Sequence, residues 1–385
     1  MAFSIAVSAG ESSGDLNGSY LARELLRLHE DAVLWGAGGP KMREAGVEIV
    51  VDTTGGGTIG VFETLKSIPR IATKYFRLRS ELLRRRPDVF VPIDYGAFNI
   101  RLAQVAFKHG IKVVYYFPPS SWRRRPRNAA KLLACGGKVI TPFLWSRDFL
   151  VEQGVDARFV GHPLVDIVKP SVTREHFLDE IGLSPDLPLI GLLPGSRSHE
   201  LAEHLAPMIE CAEIMDRRLG GAQFVIGAAG GADRMRRRVR ALASGKGESP
   251  RICVVEQRTY DCIAASDVLI ATSGTATLEA AILGTPMVIV YRGSAIMRLE
   301  FLFRKSVLEE HIGMPNIVAG RGVCPELINE DVTPEKIAGV ALGLLSDKVA
   351  LETMRRGLAE VKESLGSAGS VERAARLVLE MGGLA

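Results

Sequence analysis

Residues 3–18 read FSIAVSAGESSGDLNG, and this stretch decides the fold that the rest of the chain repeats. The apolar run Phe3–Val7 predicts a strand, and the pattern that follows predicts a helix beginning near Asp15. Between them lies a loop of small residues, which lets backbone N–H groups approach a ligand closely. A purely structural turn rarely needs two carboxylates, Glu11 and Asp15, among its glycines. The stretch therefore predicts a strand, a ligand-binding loop and a helix.

Short apolar runs alternate with helical stretches along both halves of the chain. The predicted strands are Phe3–Val7, Ala32–Trp35, Val47–Val51, Val89–Ile93, Lys112–Tyr116, Lys138–Thr141, Arg158–Val160, Leu189–Leu193, Gln223–Gly227, Ile252–Val255, Val268–Ala271 and Met287–Tyr291. The predicted helices of the second half are Glu200–Leu219, Ala232–Ala243, Tyr260–Ala265, Thr275–Leu283 and two or three more after Pro334, the last near Val371–Met381. This is the βα pattern of a parallel sheet covered on both faces.

We therefore expect an α/β protein with two Rossmann-like domains that face each other across a cleft. Ligands in such sheets bind beyond the carboxyl ends of the strands. The alternation breaks in a proline-containing stretch at residues 161–187, and we place the linker near Asp166–Ser171. The N-terminal domain is expected at residues 1–167, completed by a C-terminal helix at about 366–385, and the C-terminal domain at residues 168–365.

Composition and charge narrow the class of protein. The 385 residues carry 48 basic and 44 acidic side chains, a net charge of +4, and no apolar run is long enough to span a bilayer. The sequence begins with a predicted strand and shows no basic, cleavable leader, so a cytoplasmic protein is expected. The five cysteines are scattered without a C-x-x-C pair, so neither a disulfide framework nor a metal site is predicted. Arginine clusters occur without a nucleic-acid-binding motif, and no nucleic-acid partner is expected.

Two turns of the second domain carry groups suited to a diphosphate. Residues 192–197 read LLPGSR, in which Gly195 allows close backbone approach and Arg197 supplies a fixed cation. An ordinary βα turn with a solvated arginine explains this segment equally well. Residues 272–279 read TSGTATLE and open a helix after an apolar strand. Free N–H groups there favour an anion, and Glu279 could accept two ribose hydroxyls.

The second turn also has a structural explanation. Ser273 or Thr275 could cap the helix while Glu279 supplies the carboxylate of a capping box. Both roles can hold together, and the position at the carboxyl end of a strand favours the ligand.

Asp94 follows the strand Val89–Ile93 and is a candidate general base, whose pKa an apolar setting would raise toward working pH. Its structural rival is the N-cap of a helix beginning near Ala97. His162 lies in a Gly-His-Pro segment near the linker. It could act at the ligand, or it could fix the linker through a hydrogen bond.

Residues 58–79 interleave apolar and basic side chains at helical spacing. Such a stripe could lie on a membrane surface. Packing against the protein's own sheet is the more common use, and the sequence alone favours it. Pro69 predicts either a new helix start or a kink within this segment.

Taken in order, these segments resemble lipid-A-disaccharide synthases, inverting glycosyltransferases of the GT-B fold. The matching segments are SAGESSGD (8–15), GVFETL (60–65), PDVFVPIDYGAFN (87–99), VGHPLVD (160–166), LLPGSR (192–197), TSGTATLEAAILGTPMVIVYR (272–292) and MPNIVAGR (314–321). The resemblance implies transfer of 2,3-diacylglucosamine from UDP to 2,3-diacylglucosamine 1-phosphate. The products are the lipid A disaccharide and UDP. A related UDP-sugar transferase with a different acceptor, a UDP-sugar 2-epimerase and a non-catalytic UDP-sugar- or lipid-binding relative are the alternatives.

The resemblance also implies roles for individual residues. Asp94 matches the base that would deprotonate the acceptor's 6-hydroxyl. The acceptor-side residues are Gly10, Glu11, Ser13, Gly14, Asp15 and Trp122. The UDP-binding residues are Gly195, Ser196, Arg197, Ser273, Gly274, Thr275, Glu279 and Asn316. No metal or cofactor is expected, because helix N-termini and Arg197 would stabilise the departing diphosphate.

Two departures from the family pattern fall on the acceptor side. The family usually has Ser-Pro-Ser-x-Trp-Ala-Trp after the fifth strand, whereas residues 117–125 read FPPSSWRRR, with Trp122 kept and the second tryptophan replaced by arginine. The family's Phe-Pro-Phe-Glu becomes Phe-Leu-Trp-Ser at residues 143–146. Our hypothesis is that the new arginines meet an anionic lipid acceptor or headgroup.

The resemblance further implies peripheral association with the inner membrane through the N-terminal domain. The residues expected at the lipid are Ile59, Val61, Phe62, Leu65, Arg123, Arg124 and Arg125. Helices near the C-terminus that could exchange between subunits make a homodimer an expectation as well.

Overall fold

The computed structural model describes residues 2–53, 61–118, 126–228, 230–243, 250–293 and 311–384, with the backbone alone described at residues 11–12 and 61–68. The chain divides into two compact units. The first comprises Met1–Asp166 with Leu365–Ala385, and the second comprises Ile167–Ser364.

The N-terminal unit is built on one parallel sheet. Its elements up to the boundary are β1 (Ser4–Ala9), α1 (Glu11–Leu28), β2 (Val33–Gly38), α2 (Pro40–Glu44), β3 (Glu48–Asp52), α3 (Val61–Arg85), β4 (Val89–Ile93), α4 (Gly96–Lys108), β5 (Lys112–Val113), β6 (Tyr115–Tyr116), α5 (Pro126–Leu133), β7 (Lys138–Thr141), α6 (Leu144–Glu152), β8 (Asp156–Phe159) and α7 (Leu164–Ile167). The strand order is β3-β2-β1-β4-β6-β7-β8, with β5 beside β4.

The C-terminal unit has a second parallel sheet. Its elements are α8 (Arg174–Glu180), β9 (Leu189–Leu193), α9 (Ser198–Leu219), β10 (Gln223–Ala228), α10 (Ala232–Ala243), β11 (Arg251–Glu256), α11 (Thr259–Ala265), β12 (Val268–Thr272), α12 (Thr275–Leu283), β13 (Met287–Tyr291), α13 (Met314–Ala319), β14 (Glu326–Ile328), a 3₁₀ turn (Asn329–Asp331), α14 (Pro334–Ser346) and α15 (Lys348–Ser364). The strand order is β11-β10-β9-β12-β13-β14. The last helix, α16 (Ser370–Gly382), packs on α1 and belongs to the first unit.

Both faces of the N-terminal sheet are covered, as its apolar strands require. Leu21 of α1 and Val378 of α16 lie in the core on one face, and Leu82 of α3 and Leu102 of α4 lie in the core on the other. These side chains are fully buried, and the strand β4 between the two layers is buried along its whole length. This explains why the strands read as continuous apolar runs and not as alternating ones.

The first helix begins at Glu11, so the prediction of a start near Asp15 is wrong. Gly10 is the N-cap in an extended conformation, and the Glu-Ser-Ser-Gly stretch forms the first turn. A first turn tolerates such residues because its N–H groups have no partner within the helix and favour a nearby carboxylate. Gly14 packs on β1, where a Cβ would make an ordinary contact of 3.4 Å with Cβ of Ala9.

The helix α3 continues through Pro69, so this proline does not start a new helix. Its C-terminal half packs on the sheet as the sequence favours: Leu78 and Leu82 are fully buried, and the ring of Tyr75 meets that of Phe98 edge-on at 5.6 Å. Phe76 is the exception, with 63% of its surface exposed.

The segment between β13 and α14 contains two elements that the sequence did not predict, α13 and β14. Both are short, with six and three residues, and neither is long enough to show a periodic apolar pattern.

Candidate active site

Two of the predicted site segments meet at the carboxyl edge of the N-terminal sheet. Ala9 at the end of β1 pairs with Ile93 at the end of β4, so Gly10 and Asp94 follow neighbouring strand ends. A Cβ on Gly10 would lie only 2.3 Å from Cγ of Tyr95, the residue after Asp94. Glycine is therefore required at position 10 for the two loops to approach.

The backbone around Asp94 is held in an unusual conformation. Asp94, Tyr95 and Phe117 all have left-handed backbones, with φ of 44°, 50° and 55°. Such residues cost about 1–3 kcal/mol each and persist only where the surroundings enforce them. Here the N–H of Asp94 bonds to the carbonyls of Tyr116 and Phe117, each at 3.2 Å.

Two side chains hold the carbonyl of Asp94. The hydroxyl of Tyr115 donates to it at 2.7 Å, and the amide of Asn99 donates at 3.1 Å. The same amide nitrogen also bonds to the carbonyls of Ser8 and Ile93, so Asn99 joins the ends of β1 and β4. Sequence reasoning missed Asn99 as a functional residue, although it closes the quoted motif at residues 87–99.

Asp94 is exposed in the short loop that leads into α4. The N-cap of that helix is Tyr95, which excludes the structural rival for Asp94. The described residues therefore do not bury this carboxylate in an apolar setting.

The remaining acceptor-side residues of α1 differ in their surroundings. Ser13 is exposed in the first turn, whereas Gly14 is buried. Asp15 is 2% exposed, and its carboxylate accepts the N–H groups of Gly39, Lys41 and Met42 at 2.7, 3.1 and 3.1 Å. Asp15 therefore caps α2. Trp122, Arg123, Arg124, Arg125 and Ile59, and the side chains of Glu11, Val61, Phe62 and Leu65, lie outside the described residues.

Aromatic rings gather beyond the ends of β6 and β7. Phe143 stacks on Trp145 at 5.3 Å and lies 5.2 Å from the ring of His162, which also lies 6.1 Å from Phe117. Nδ1 of His162 accepts the N–H of Leu164 at 3.1 Å, and its backbone N–H bonds to the carbonyl of Leu365 at 2.8 Å. Burial lowers the pKa of His162 to about 4. These bonds support the interpretation of His162 as a residue that fixes the segment before the boundary.

In the C-terminal unit, the two predicted anion-binding turns also follow neighbouring strands. Leu193 of β9 pairs with Ala271 of β12. In the turn after β9, the backbone N–H groups already have a partner, which is Glu200 of the helix that follows. Oε2 of Glu200 accepts the N–H groups of Ser196 and Arg197 at 2.8 and 3.1 Å, and Oε1 accepts Nη1 of Arg197 at 3.0 Å.

The turn after β12 is different, because none of the described side chains caps α12. Gly274 is the N-cap, and Gly274 and Thr275 are exposed. Ser273 donates its hydroxyl to the carbonyl of Ile312 at 2.7 Å. Glu279 accepts a bond from Tyr260, and burial raises the pKa of this carboxyl despite that bond. The capping-box explanation is therefore wrong, because the N-cap is Gly274 and Glu279 pairs with Tyr260.

Asn316 is 1% exposed and bonds to the protein itself. Its amide nitrogen donates to the carbonyl of Cys324 and to Glu326, each at 2.8 Å, and its oxygen accepts the N–H groups of Val323 and Cys324, each at 2.8 Å. Glu326 also accepts the N–H of Gly313 at 2.8 Å. Asn316 and Glu326 thus fix the segment that receives the hydroxyl of Ser273.

Comparison with known proteins decides the family. The profile of the lipid-A-disaccharide synthetase family matches residues 5–378. The lipid-A-disaccharide synthase of Geobacter sulfurreducens is 39% identical over 98% of this chain and 97% of that protein. That of Myxococcus xanthus is 36% identical over the same shares of the two chains. The chain belongs to the lipid-A-disaccharide synthase family. The resemblance drawn from the motifs is confirmed, and the chain is a glycosyltransferase of lipid A biosynthesis.

Solved structures show the fold more broadly. A UDP-GlcNAc 2-epimerase from Neisseria meningitidis bound to UDP-GlcNAc covers 98% of this chain and 100% of its own, with a TM-score of 0.61 and 13% identity. A glycosyltransferase from Rickettsia africae covers 100% and 99%, with a TM-score of 0.58 and 11% identity. These likenesses confirm two Rossmann-like domains of the type found in GT-B transferases and epimerases. Membership in the synthase family does not favour the epimerase alternative.

Membrane-spanning helices and metal-binding clusters were sought in the part of the chain that the structure describes. No helix there is long and apolar enough to cross a membrane. No group of three or more metal-ligating side chains occurs among those residues either.

Sequence reasoning missed three residues that shape the site: Asn99, Glu200 and Glu326. Glu200 had a signal, because it follows Arg197 at the three-residue spacing of a capping box. The others act through hydrogen bonds to distant segments, which leave no local pattern.

Proposed function

We propose that this member of the lipid-A-disaccharide synthase family uses Asp94 as the general base for transfer of 2,3-diacylglucosamine from UDP to 2,3-diacylglucosamine 1-phosphate. The observation that carries the assignment is the exposed Asp94 carboxylate on a left-handed backbone, held at its carbonyl by Tyr115 and Asn99. Tyr95 takes the capping position, so capping does not explain the aspartate.

In this proposal the carboxylate of Asp94 takes the proton of the acceptor's 6-hydroxyl. The oxygen attacks C1 of the donor sugar from the side opposite UDP, a bond from that oxygen to C1 forms, and the bond from C1 to the diphosphate oxygen breaks. The configuration at C1 inverts and UDP leaves. General base catalysis of this kind contributes about 10²–10⁴-fold.

The departing diphosphate is placed at the N-terminus of α12. Exposed Gly274 and Thr275 begin that helix, and the positive end of its dipole favours an anion. Glu279 lies one turn further along, where its carboxylate can accept ribose hydroxyls. Stabilisation of the leaving group by these groups and by Arg197 makes a metal unnecessary in this scheme.

Arg197 is proposed to reach the diphosphate through its guanidinium and not through its backbone. Glu200 already accepts the two backbone N–H groups of the turn and one guanidinium nitrogen, Nη1. The pairing with Glu200 orients this cation, and its planar guanidinium has the donor geometry that a diphosphate oxygen needs.

The decisive experiment is a UDP-release assay with mass-spectrometric detection of the product, using both diacylated substrates in detergent. Asp94→Ala and Asp94→Asn should lose at least about a hundredfold in kcat while UDP affinity stays within twofold. Asp148→Asn is the matched control, because Asp148 is an exposed aspartate of the same unit. Disaccharide formation by Asp94→Ala at the wild-type rate would remove Asp94 from the mechanism. Bound UDP-sugar without any disaccharide in the wild type would point to a different acceptor.

We also propose that the protein works at the cytoplasmic face of the inner membrane, where both lipid substrates reside, and that it forms homodimers. The sequence supports the first point through the apolar and basic segment at residues 58–79 and the arginines at 123–125. An Arg123→Ser, Arg124→Ser, Arg125→Ser variant should bind vesicles of anionic phospholipid more weakly and show a higher KM for the anionic acceptor. The matched control replaces three basic residues of α10, Arg234, Arg237 and Arg238, with serine. Unchanged vesicle binding and acceptor KM in the first variant would refute the role of Arg123–Arg125.

A further inference from the structure

We infer that Glu200 and His204, one turn apart on α9, position the loops on both sides of the proposed diphosphate site. Glu200 holds the turn that carries Arg197, and His204 ties this turn to the segment that follows β13. The inference rests on the proposed binding of UDP-sugar at the N-terminus of α12.

Strand order places the two loops around that site. β12, which leads into α12, lies between β9 and β13 in the sheet. The turn that Glu200 holds follows β9, and the segment that His204 holds follows β13. A link between them therefore spans the strand end at which the diphosphate is proposed to bind.

Glu200 fixes the first loop. Its side chain is 13% exposed, and its carboxylate accepts the backbone N–H groups of Ser196 and Arg197 and the guanidinium of Arg197. Burial would raise the pKa of Glu200, but these bonds and the charge of Arg197 outweigh it and lower the pKa. Gly195, with φ of 101°, makes room for the side chain of Glu200. A Cβ at position 195 would lie only 2.5 Å from Cβ and Oε2 of Glu200.

His204 makes the connection to the second loop. Its ring is 1% exposed, with Nδ1 2.7 Å from the carbonyl oxygen of Glu200 and Nε2 2.8 Å from the backbone nitrogen of Arg292. A carbonyl can only accept and a backbone N–H can only donate, so Nδ1 carries the proton and Nε2 accepts. Only the neutral ring with this tautomer makes both bonds.

The segment that His204 holds is itself anchored. The guanidinium of Arg292 bonds to the carbonyl of Val332, and the N–H of Gly293 bonds to Oδ1 of buried Asn329 at 3.1 Å. The ring of Tyr291 lies 6.1 Å from that of His204. His204 thus connects the helix that follows Arg197 to the anchored segment after β13.

The surroundings keep the ring neutral. Burial lowers the pKa of His204, and the charge of Arg292 acts in the same direction. The carbonyl and charge of Glu200 and the charge of Glu203 oppose it, without overcoming it. The charged groups that act most strongly on the ring are therefore Arg292, which follows β13, and Glu200 and Glu203 on its own helix.

The test compares His204→Leu with His204→Gln, and uses His176→Leu, on an exposed histidine of α8, as the control. Leucine preserves volume but cannot accept the Arg292 N–H, whereas the amide oxygen of glutamine can. We expect His204→Leu to raise the KM for UDP-sugar and the Kd for UDP about tenfold, the factor that corresponds to about 1.4 kcal/mol. The kcat should stay within about threefold of wild type, and His204→Gln should recover most of the affinity.

Measuring the Kd for UDP as a function of pH gives a second test, because a purely structural role of His204 would leave this pH dependence unchanged. In the wild type the Kd for UDP should rise on acidification below the ordinary histidine range of about 6.5, as the ring gains a proton and Nε2 can no longer accept. His204→Gln should show a smaller rise, because only protonation of the UDP phosphate, whose second pKa is about 6, then remains. Equal UDP affinity in wild type and folded His204→Leu would overturn the inference while leaving the proposed function in place. Absence of UDP binding by the wild type would overturn the proposed donor site and the inference together.

Discussion

The hydroxyl of Ser8 on β1 donates to the amide oxygen of Asn99 on α4 over 2.6 Å, and both side chains are fully buried. The amide nitrogen of Asn99 then bonds to three carbonyls, those of Ser8, Ile93 and Asp94. One side chain thereby joins two strand ends and supports the backbone of the proposed base. Because these partners need both an acceptor oxygen and an NH₂ donor, only an amide side chain satisfies them all.

Asn99→Ala should lower both stability and turnover. Truncation leaves buried carbonyls without a donor, and we expect the free energy of unfolding to fall by about 2–4 kcal/mol. The kcat should also fall, because the carbonyl of Asp94 loses a donor, while Ser8→Ala, which loses one bond, should cost only about 1 kcal/mol. Denaturant unfolding and the UDP-release assay measure the two effects. An unfolding midpoint for Asn99→Ala equal to that of the wild type would contradict this account.

Gly10→Ala should impair folding and activity through the ring of Tyr95. The added Cβ would lie 2.3 to 2.8 Å from three ring carbons, so either the ring or the start of α1 must move. We expect a loss of about 1–3 kcal/mol in stability, typical of overpacking, and a lower kcat because Tyr95 adjoins Asp94. Gly230→Ala is the matched control, because a Cβ at that position has nothing within 4 Å. If both variants retained wild-type Tm and kcat, the close approach at Gly10 would have no importance for the site.

The positions of the strands follow from the sequence because buried parallel strands need continuous apolar runs. Four predicted strands match the structure at both ends: Val89–Ile93, Lys138–Thr141, Leu189–Leu193 and Met287–Tyr291. Since strand ends carry the loops of such a sheet, the apolar runs alone are enough to place Asp94, Arg197 and Ser273 at the carboxyl edges of the two sheets.

The roles of several side chains could not be predicted, because they depend on partners far along the chain. Asp15 looks like a loop carboxylate in the sequence, yet it caps a helix whose residues lie 24 to 27 positions away. Asn99 meets Ser8 across 91 positions. Glu200 could have been recognised from its spacing to Arg197, but whether its carboxylate or a ligand occupies the turn is decided by packing.

Stability should depend on pH through His162. Burial lowers the pKa of this ring to about 4 in the folded protein, against 6.5 for the ordinary group. Above pH 6.5 both states are neutral and the residue contributes no pH dependence. Between pH 6.5 and 4 the unfolded chain binds a proton that the folded chain does not, so stability falls as pH falls, by at most about 3 kcal/mol.

Chemical denaturation of the wild type and of His162→Phe at pH 7.5 and at pH 5 measures this contribution. Phenylalanine keeps the ring packing against Phe143 and Phe117 but does not titrate. The wild type should lose more stability between the two pH values than the variant does. Identical losses would show that His162 titrates normally in the folded protein.

Glu279→Gln should separate recognition of the nucleotide from stability. Burial raises the pKa of the carboxyl, because it disfavours the ionised form. A neutral amide can still accept the hydrogen bond from Tyr260. The free energy of unfolding of Glu279→Gln should therefore be unchanged or slightly higher. Recognition of ribose should suffer, because a carboxylate accepts two hydroxyls whereas an amide offers one acceptor and one donor. We therefore expect a roughly tenfold higher Kd for UDP, measured by calorimetry, with a Tm within about 2 °C of wild type. Glu352→Gln, on an exposed glutamate of α15, should change neither quantity. Unaltered UDP affinity in Glu279→Gln would show that Glu279 does not bind the ribose. The proposed diphosphate site at the N-terminus of α12 would remain.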